Sequence, residues 1–327
     1  MLAADYVIVG AGTAGCVLAS RLTENPNVRV VVLEAGGKDR SPNIKIPAAF
    51  PEQFHTKLDW DYYTEPEPHC DGRRLYIPRG RSLGGSSSMN AMLYVRGRPL
   101  DYDLWEQKGA EGWGWDDVRP YFLKAENDER GASEHHGSGG PVNVQNQRSP
   151  RHLNFEKHGE EEYDGHCFVT GPTLLTPKAR GEVTLASSDP AAKPRIITNA
   201  LSEPEDVASM LAGMKLAREI VGQEPLRSKT IKAIKPTDGV RSDEDLVEHL
   251  RSRVELIYHP VGTCRAGTDD LAVVDPELRI RGLDGLRVVD ASIMPVIPGG
   301  NTNAPTIMVA ERAADLIKGR VGAKAAA

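Results

Sequence analysis

The start of the chain constrains it most. Asp5 and the apolar run Tyr6, Val7, Ile8 and Val9 lead directly into Gly10, Gly12 and Gly15. An apolar run followed by G-x-G-x-x-G predicts a buried strand, a tight turn and the first turn of a helix. Gly10 permits the turn, Gly12 omits the side chain that would block a phosphate, and Gly15 lets helix and strand pack closely. With Thr13 and Ala14 opening the helix, unpaired N–H groups and the positive end of the helix dipole face any bound anion. Taken alone, the pattern also fits a glycine-rich turn in another strand–helix unit, and it admits a nicotinamide dinucleotide as readily as a flavin.

A second β-branched run, Val28 to Leu33, reads as a fully buried parallel strand. It ends at Glu34, close to the offset of about twenty residues at which an acidic side chain takes the ribose hydroxyls of an adenine dinucleotide. A Glu34 merely solvated at a strand end is the alternative. Cys16, Val17, Ala19 and Leu22 recur between the runs with helical period, and Asn25, Pro26 and Asn27 supply a stop. The whole reads as βαβ.

At 327 residues the chain is two average domains or one large α/β domain with an appendage. A net charge of -6 argues against a nucleic-acid partner. No stretch approaches the roughly 18 apolar residues of a membrane span. The first strand begins so early that a signal peptide has no room, so a cytoplasmic location is expected. Cys16, Cys70, Cys167 and Cys264 form no CxxC pair, which argues against zinc and disulfides. His135 and His136 lack ligand partners at fixed spacing and read as a solvated loop. No metal is expected.

Residues 36–71 read as an irregular, proline-rich excursion that includes Trp60, Tyr62 and Tyr63. Gly84, Gly85, Ser86, Ser87 and Ser88 form a nest of donors and hydroxyls opening an apolar, helical Met89–Leu93; a flexible turn is the alternative. Helices are expected between Pro99 and Ala125, from Ser202 to Val221 and from Ser242 to Arg253. His166–Thr170, Gly181–Ala186 and Pro194–Thr198 resemble strands of an antiparallel sheet, and Leu286–Val289 reads as a third buried parallel strand. A last helix starts near Thr302 or Asn303 and carries Ile307, Val309, Ala310, Ala313 and Ile317.

Four segments together, 5–15 with 34–37, 80–90, 259–264 and 290–306, resemble the glucose–methanol–choline (GMC) family of flavin oxidoreductases. The resemblance implies an α/β fold. It implies a doubly wound, Rossmann-like FAD-binding domain formed by residues 1–150 and 256–320, and a reduced α+β substrate domain with an antiparallel sheet formed by 151–255. It implies FAD and a small-molecule alcohol substrate. Gly10, Gly12, Thr13, Ala14 and Gly15 would hold the pyrophosphate, and Glu34 with Ala35 the adenosine ribose. Arg81, Gly84, Gly85, Ser86, Ser87, Asn90 and Ala91 would line the cofactor, with the 84–90 loop along the isoalloxazine. Asp290 and Ala291 would reach the ribityl–pyrophosphate region, and Asn301 and Thr302 would complete the cofactor set. Some relatives attach flavin through a histidine where Met89 stands here, so noncovalent FAD is implied.

The chemistry has its own logic. Alcohol oxidation removes a hydroxyl proton while the α-hydrogen leaves as hydride. Histidine suits the first task because its ordinary pKa of about 6.5 lies near working pH. The resemblance assigns that role to His259 and a substrate hydrogen bond to Asn301. Otherwise His259 reads as a core histidine and Asn301 as a helix cap.

The chain also departs from the pattern. Family members are longer, and the shortening falls near Asn154–His166. Two more parallel strands and a second glycine/proline signature are not found. A missing strand between the first and last of the three buried runs would leave open sheet edges. Three alternatives follow: a compact working enzyme, a catalytically impaired flavin-binding or interaction protein, or a homo-oligomer that completes its sheet between copies. A GMC-fold lyase is a further reading.

Overall fold

The computed structural model of the chain describes residues 3–146, 158 and 166–321, so the 154–166 seam lies outside them apart from His158 and His166. The helices are α1 (Thr13–Leu22), α2 (Pro42–Lys45), α3 (Pro99–Gln107), α4 (Trp115–Ala125), α5 (Pro204–Val221), α6 (Asp243–Arg253) and α7 (Asn303–Ile317). The strands are β1 (Tyr6–Val9), β2 (Val30–Leu33), β3 (Tyr62–Tyr63), β4 (Tyr76–Ile77), β5 (Glu126–Asp128), β6 (Val142–Val144), β7 (Glu182–Thr184) and β8 (Arg195–Ile197). They fall into two compact units. One comprises Met1–Asp61, Pro78–Pro150 and Tyr258–Ala327; the other comprises Tyr62–Ile77 and Arg151–Ile257.

In the first unit β1 and β2 pair in parallel, with Tyr6 opposite Val30 and Val9 opposite Leu33, and α1 connects them as the βαβ reading requires. The core is built on α7, in which every residue from Ala304 to Ala314 is buried. Ala304, Ala310, Ala313 and Ala314 keep its surface low, so neighbouring helices approach closely. Within this apolar setting Glu311 is only 1% exposed. It receives Arg21 from α1 through Nε (2.8 Å) and Nη2 (2.8 Å), and Lys124 of α4 at 3.1 Å. A buried carboxylate persists only when paired in this way.

In the first unit three expectations are corrected. Neither N-terminal strand is buried on both faces: in β1 Ile8 packs against α1 whereas Val7 is 60% and Val9 84% exposed, and β2 ends in exposed Val32 and Leu33. A continuous apolar run presupposes a layer on each face, and here the sheet has two strands among the described residues. Leu286–Val289 is not a strand. Arg287 makes one isolated antiparallel bridge to Arg279, while Val288 and Val289 pack against the core. A strand needs a continuous ladder beside it, and among the described residues the segment at Arg279 supplies a single bridge. Met89–Leu93 is not helical either: a 3-10 turn at Gly85–Ser88 is followed by irregular chain.

The second unit pairs β3 with β4 and β7 with β8, both antiparallel. His166–Thr170 forms no strand. Cys70, Leu75, Leu201 and Leu250 form its core, with Val207, Met210 and Met214 of α5 packed against it. Ser242 caps α6 by accepting from the Asp245 N–H at 3.1 Å, as its position predicts. Among the described residues no helix is long and apolar enough to cross a membrane.

The one-sided sheet makes a contrast testable by urea denaturation. Ile8→Ala should cost about 2–5 kcal/mol, and Val9→Thr, one residue away, less than about 0.5 kcal/mol. Equal losses would mean that both faces of β1 are covered.

Candidate active site

The site lies in the first unit and begins at the glycine turn. Gly10 has φ +94 and donates its N–H to the Leu33 carbonyl at 2.7 Å, so the chain leaves β1 sharply. A Cβ on Gly15 would lie 2.0 Å from the Gly10 carbonyl oxygen, which excludes any side chain there. Gly12 differs. Its φ of -76 suits any residue, and a Cβ would meet nothing within 4 Å. Neither backbone nor neighbours demand glycine at 12, so the space it leaves over the start of α1 is available to a ligand. Glu34 borders the same turn, accepting from the Ala11 N–H at 2.7 Å and the Gly36 N–H at 2.6 Å. Each carboxylate oxygen retains a second lone pair for a ligand hydroxyl. Ala35 beside it is exposed.

The serine-rich loop docks on this turn. Gly84, at φ +91, donates its N–H to the Ala11 carbonyl at 2.8 Å, and a Cβ on Gly85 would stand 2.8 Å from the Gly12 Cα. The hydroxyls of Thr13 and Ser87 touch and share the Asn303 side-chain oxygen at 3.0 and 2.9 Å. The starts of α1 and α7 and the loop thus meet at one polar point. Ser86 Oγ accepts from the Gly80 N–H at 3.2 Å, and Asn90 Oδ1 from the Met92 N–H at 2.8 Å. Arg81 lies over the Trp60 ring, 4.6 Å from its centroid. Ala91 is half-buried. Asp290 is exposed and caps its own turn, accepting from the Ser292 N–H at 2.8 Å over Ala291–Ile293. The Thr302 carbonyl accepts from the Thr306 hydroxyl at 2.7 Å at the start of α7.

His259 and Asn301 come together across 42 residues. The Asn301 amide donates to His259 Nε2 at 3.4 Å, a long contact that leaves the nitrogen lone pair directed toward it. Burial first, and then the positive charge of Arg79, lower the His259 pKa to about 4. The imidazole is therefore neutral at physiological pH and able to accept a proton.

Sequence reasoning missed three residues. Asp59 is buried and its carboxylate accepts from the N–H groups of His55, Asp61 and Arg79. Arg79 reaches the Tyr258 carbonyl at 3.0 Å. Asn303, read only as a cap, ties Thr13 to Ser87. The Pro78–Arg79 dipeptide ahead of the serine loop was the one visible sign of Arg79. His136, 31% exposed, has its Nδ1 3.3 Å from both Glu126 and Asp128. Arg96 pairs with Glu126 and Arg130 with Asp128.

Sequence profiles of the GMC oxidoreductase N-terminal and C-terminal regions match residues 4–164 and 177–310. The chain belongs to the GMC oxidoreductase family. An alcohol dehydrogenase [acceptor] of Pseudomonas putida is 29% identical over 529 residues, covering 97% of this chain and 96% of the relative. An oxygen-dependent choline dehydrogenase of Sinorhizobium fredii is 29% identical over 527 residues, covering 97% and 96%. Alignments of that length on a 327-residue chain leave roughly 200 positions of each relative without a counterpart. In fold the chain is similar to a crystal structure of pyridoxine 4-oxidase from Mesorbium loti, with a TM-score of 0.86 at 22% identity, covering 98% of this chain and 100% of that one. FAD is the cofactor of this fold family.

The two glycines should part company on substitution. Gly15→Ala forces a backbone clash and should destabilise by about 1–3 kcal/mol, while Gly12→Ala should melt with the parent. A Gly15→Ala protein as stable as the parent would contradict the close contact with Gly10.

Proposed function

We propose that this GMC oxidoreductase oxidises the CH–OH group of a small alcohol with FAD as its cofactor, His259 serving as base and Asn301 holding the substrate oxygen. The observation that carries the reading is the neutral His259 beside the Asn301 amide, in the unit that also holds the open glycine turn. A hydroxyl seated beside the pair, taking the Nε2 lone pair over from Asn301, would give its proton to His259 Nε2 and receive a hydrogen bond from Asn301 Nδ2. Removing that proton concentrates charge on the substrate oxygen, which the amide dipole then stabilises.

The residues present fit the cofactor. Gly12 leaves a cradle that a Cβ would fill, and the N–H groups opening α1 suit a pyrophosphate. Glu34 would take the ribose hydroxyls; Thr13, Ala14, Gly84, Gly85, Ser86, Ser87, Asn90 and Thr302 would line the rest. FAD, when bound, supplies the acceptor for the α-hydrogen. Met89, buried and without a nucleophilic nitrogen, favours noncovalent attachment. A second reading, an impaired flavin-binding protein of the family, is favoured by the uncovered face of β1.

Anaerobic mixing of flavin-loaded protein with an alcohol panel that includes choline and pyridoxine separates these readings. Bleaching of the flavin is expected, and its absence with every alcohol would favour the impaired protein. His259→Gln should slow bleaching by about 10²–10⁴-fold, and Gly12→Ala should lose flavin affinity without losing stability.

The pH dependence follows from the lowered pKa. The base is available wherever the imidazole is unprotonated, so kcat/KM should hold its plateau from neutral pH downward and fall only near pH 4. An acid limb near 6.5 would remove His259 as the base or place it in an ordinary aqueous setting.

A further inference from the structure

We propose that Arg79 is the positioning residue for His259, its guanidinium fixing the peptide that leads into the histidine and holding a positive charge within reach of the imidazole. The inference rests on the reading of His259 as base. The Arg79 side chain is forked over two carbonyls, with Nη1 donating to Pro78 O at 2.8 Å and Nη2 to Tyr258 O at 3.0 Å. Its main chain is held as well: the N–H donates to buried Asp59 Oδ1 at 2.9 Å, and the carbonyl accepts from the Trp60 N–H at 2.8 Å. The guanidinium therefore has a fixed base and two fixed ends.

The peptide it grips is an unusual one. Tyr258 has φ +68, a conformation costly for a residue with a Cβ. That turn sets the direction in which His259 leaves the backbone, and the Arg79 bond to the Tyr258 carbonyl opposes its relaxation. The Tyr258 ring is edge-on to Phe54 with centroids 6.0 Å apart, which fixes the other side of the same residue. Among the described residues the charge acting on the imidazole is that of Arg79, and its polar neighbour Asn301 is uncharged. A guanidinium cannot lose its proton near neutral pH, so this charge opposes protonation of His259 throughout the working range.

The test is an NMR titration of His259 in the full-length, flavin-loaded protein, assigned with His259→Gln and run beside alcohol-dependent flavin reduction. Arg79→Gln should raise the proton affinity of the imidazole about tenfold or more and move the acid limb of kcat/KM upward with it. Arg79→Lys keeps the charge but loses the fork, so the titration should stay near that of the parent while kcat falls several-fold at unchanged KM. A histidine that titrates identically in the parent and in folded Arg79→Gln overturns the proposal. If Arg79→Gln does not fold, Arg79→Lys decides, because a parental kcat there also overturns it. Failure of the base assignment is separately visible: His259→Gln would retain full activity while Arg79→Gln still shifted the titration.

Discussion

A carboxylate with almost no solvent must be answered by cations, and that requirement organises the first unit. Glu311 sits midway along the buried face of α7, and Arg21 and Lys124 reach it from α1 and α4. Removing either cation would leave charge in an apolar interior, so the three helices are held in one arrangement. That arrangement brings the start of α7 to the start of α1. Asn303 then meets Thr13 and Ser87, and Asn301 lies two residues before it, beside His259. The geometry of the candidate site is thus set by a packing problem solved about two turns away.

How far the sequence could be read depended on the range of the interaction involved. The turn at Gly10–Gly15 was legible because a φ of +94 and a 2.0 Å clash are local demands that only glycine meets. The bounds of α6 and its Ser242 cap were legible because capping too is local. His259 and Asn301 stood out through family resemblance, since nothing local distinguishes a working histidine from a core one. Arg79 and Asn303 act across 179 and 290 residues, and such contacts leave no periodicity to find. The errors share a cause. Val7, Val9 and Leu286–Val289 carry the composition of buried strands, but burial belongs to the neighbours a strand finds, and these neighbours are absent from the described sheet.

That mismatch agrees with the alignments. The relatives match at both ends and run on for roughly 200 further positions. The apolar face of β1 is therefore the imprint of a longer fold on a shorter chain. The signature loop, the glycine turn and the His259–Asn301 pair depend on α1, α4 and α7, all of which are intact, so the shortening affects the sheet more than the polar cluster.

The reach of the α1–α7 contacts bears on how the protein must be made. Arg21 and Glu311 are separated by 290 residues, as are Thr13 and Asn303. During synthesis the glycine turn and its helix emerge some 290 residues before the helix that buries them. The strand, turn and helix must therefore wait as an exposed apolar segment until those residues have been made, since their enclosing contacts are of long sequence separation. Folding of this unit is completed only once α7 has been made.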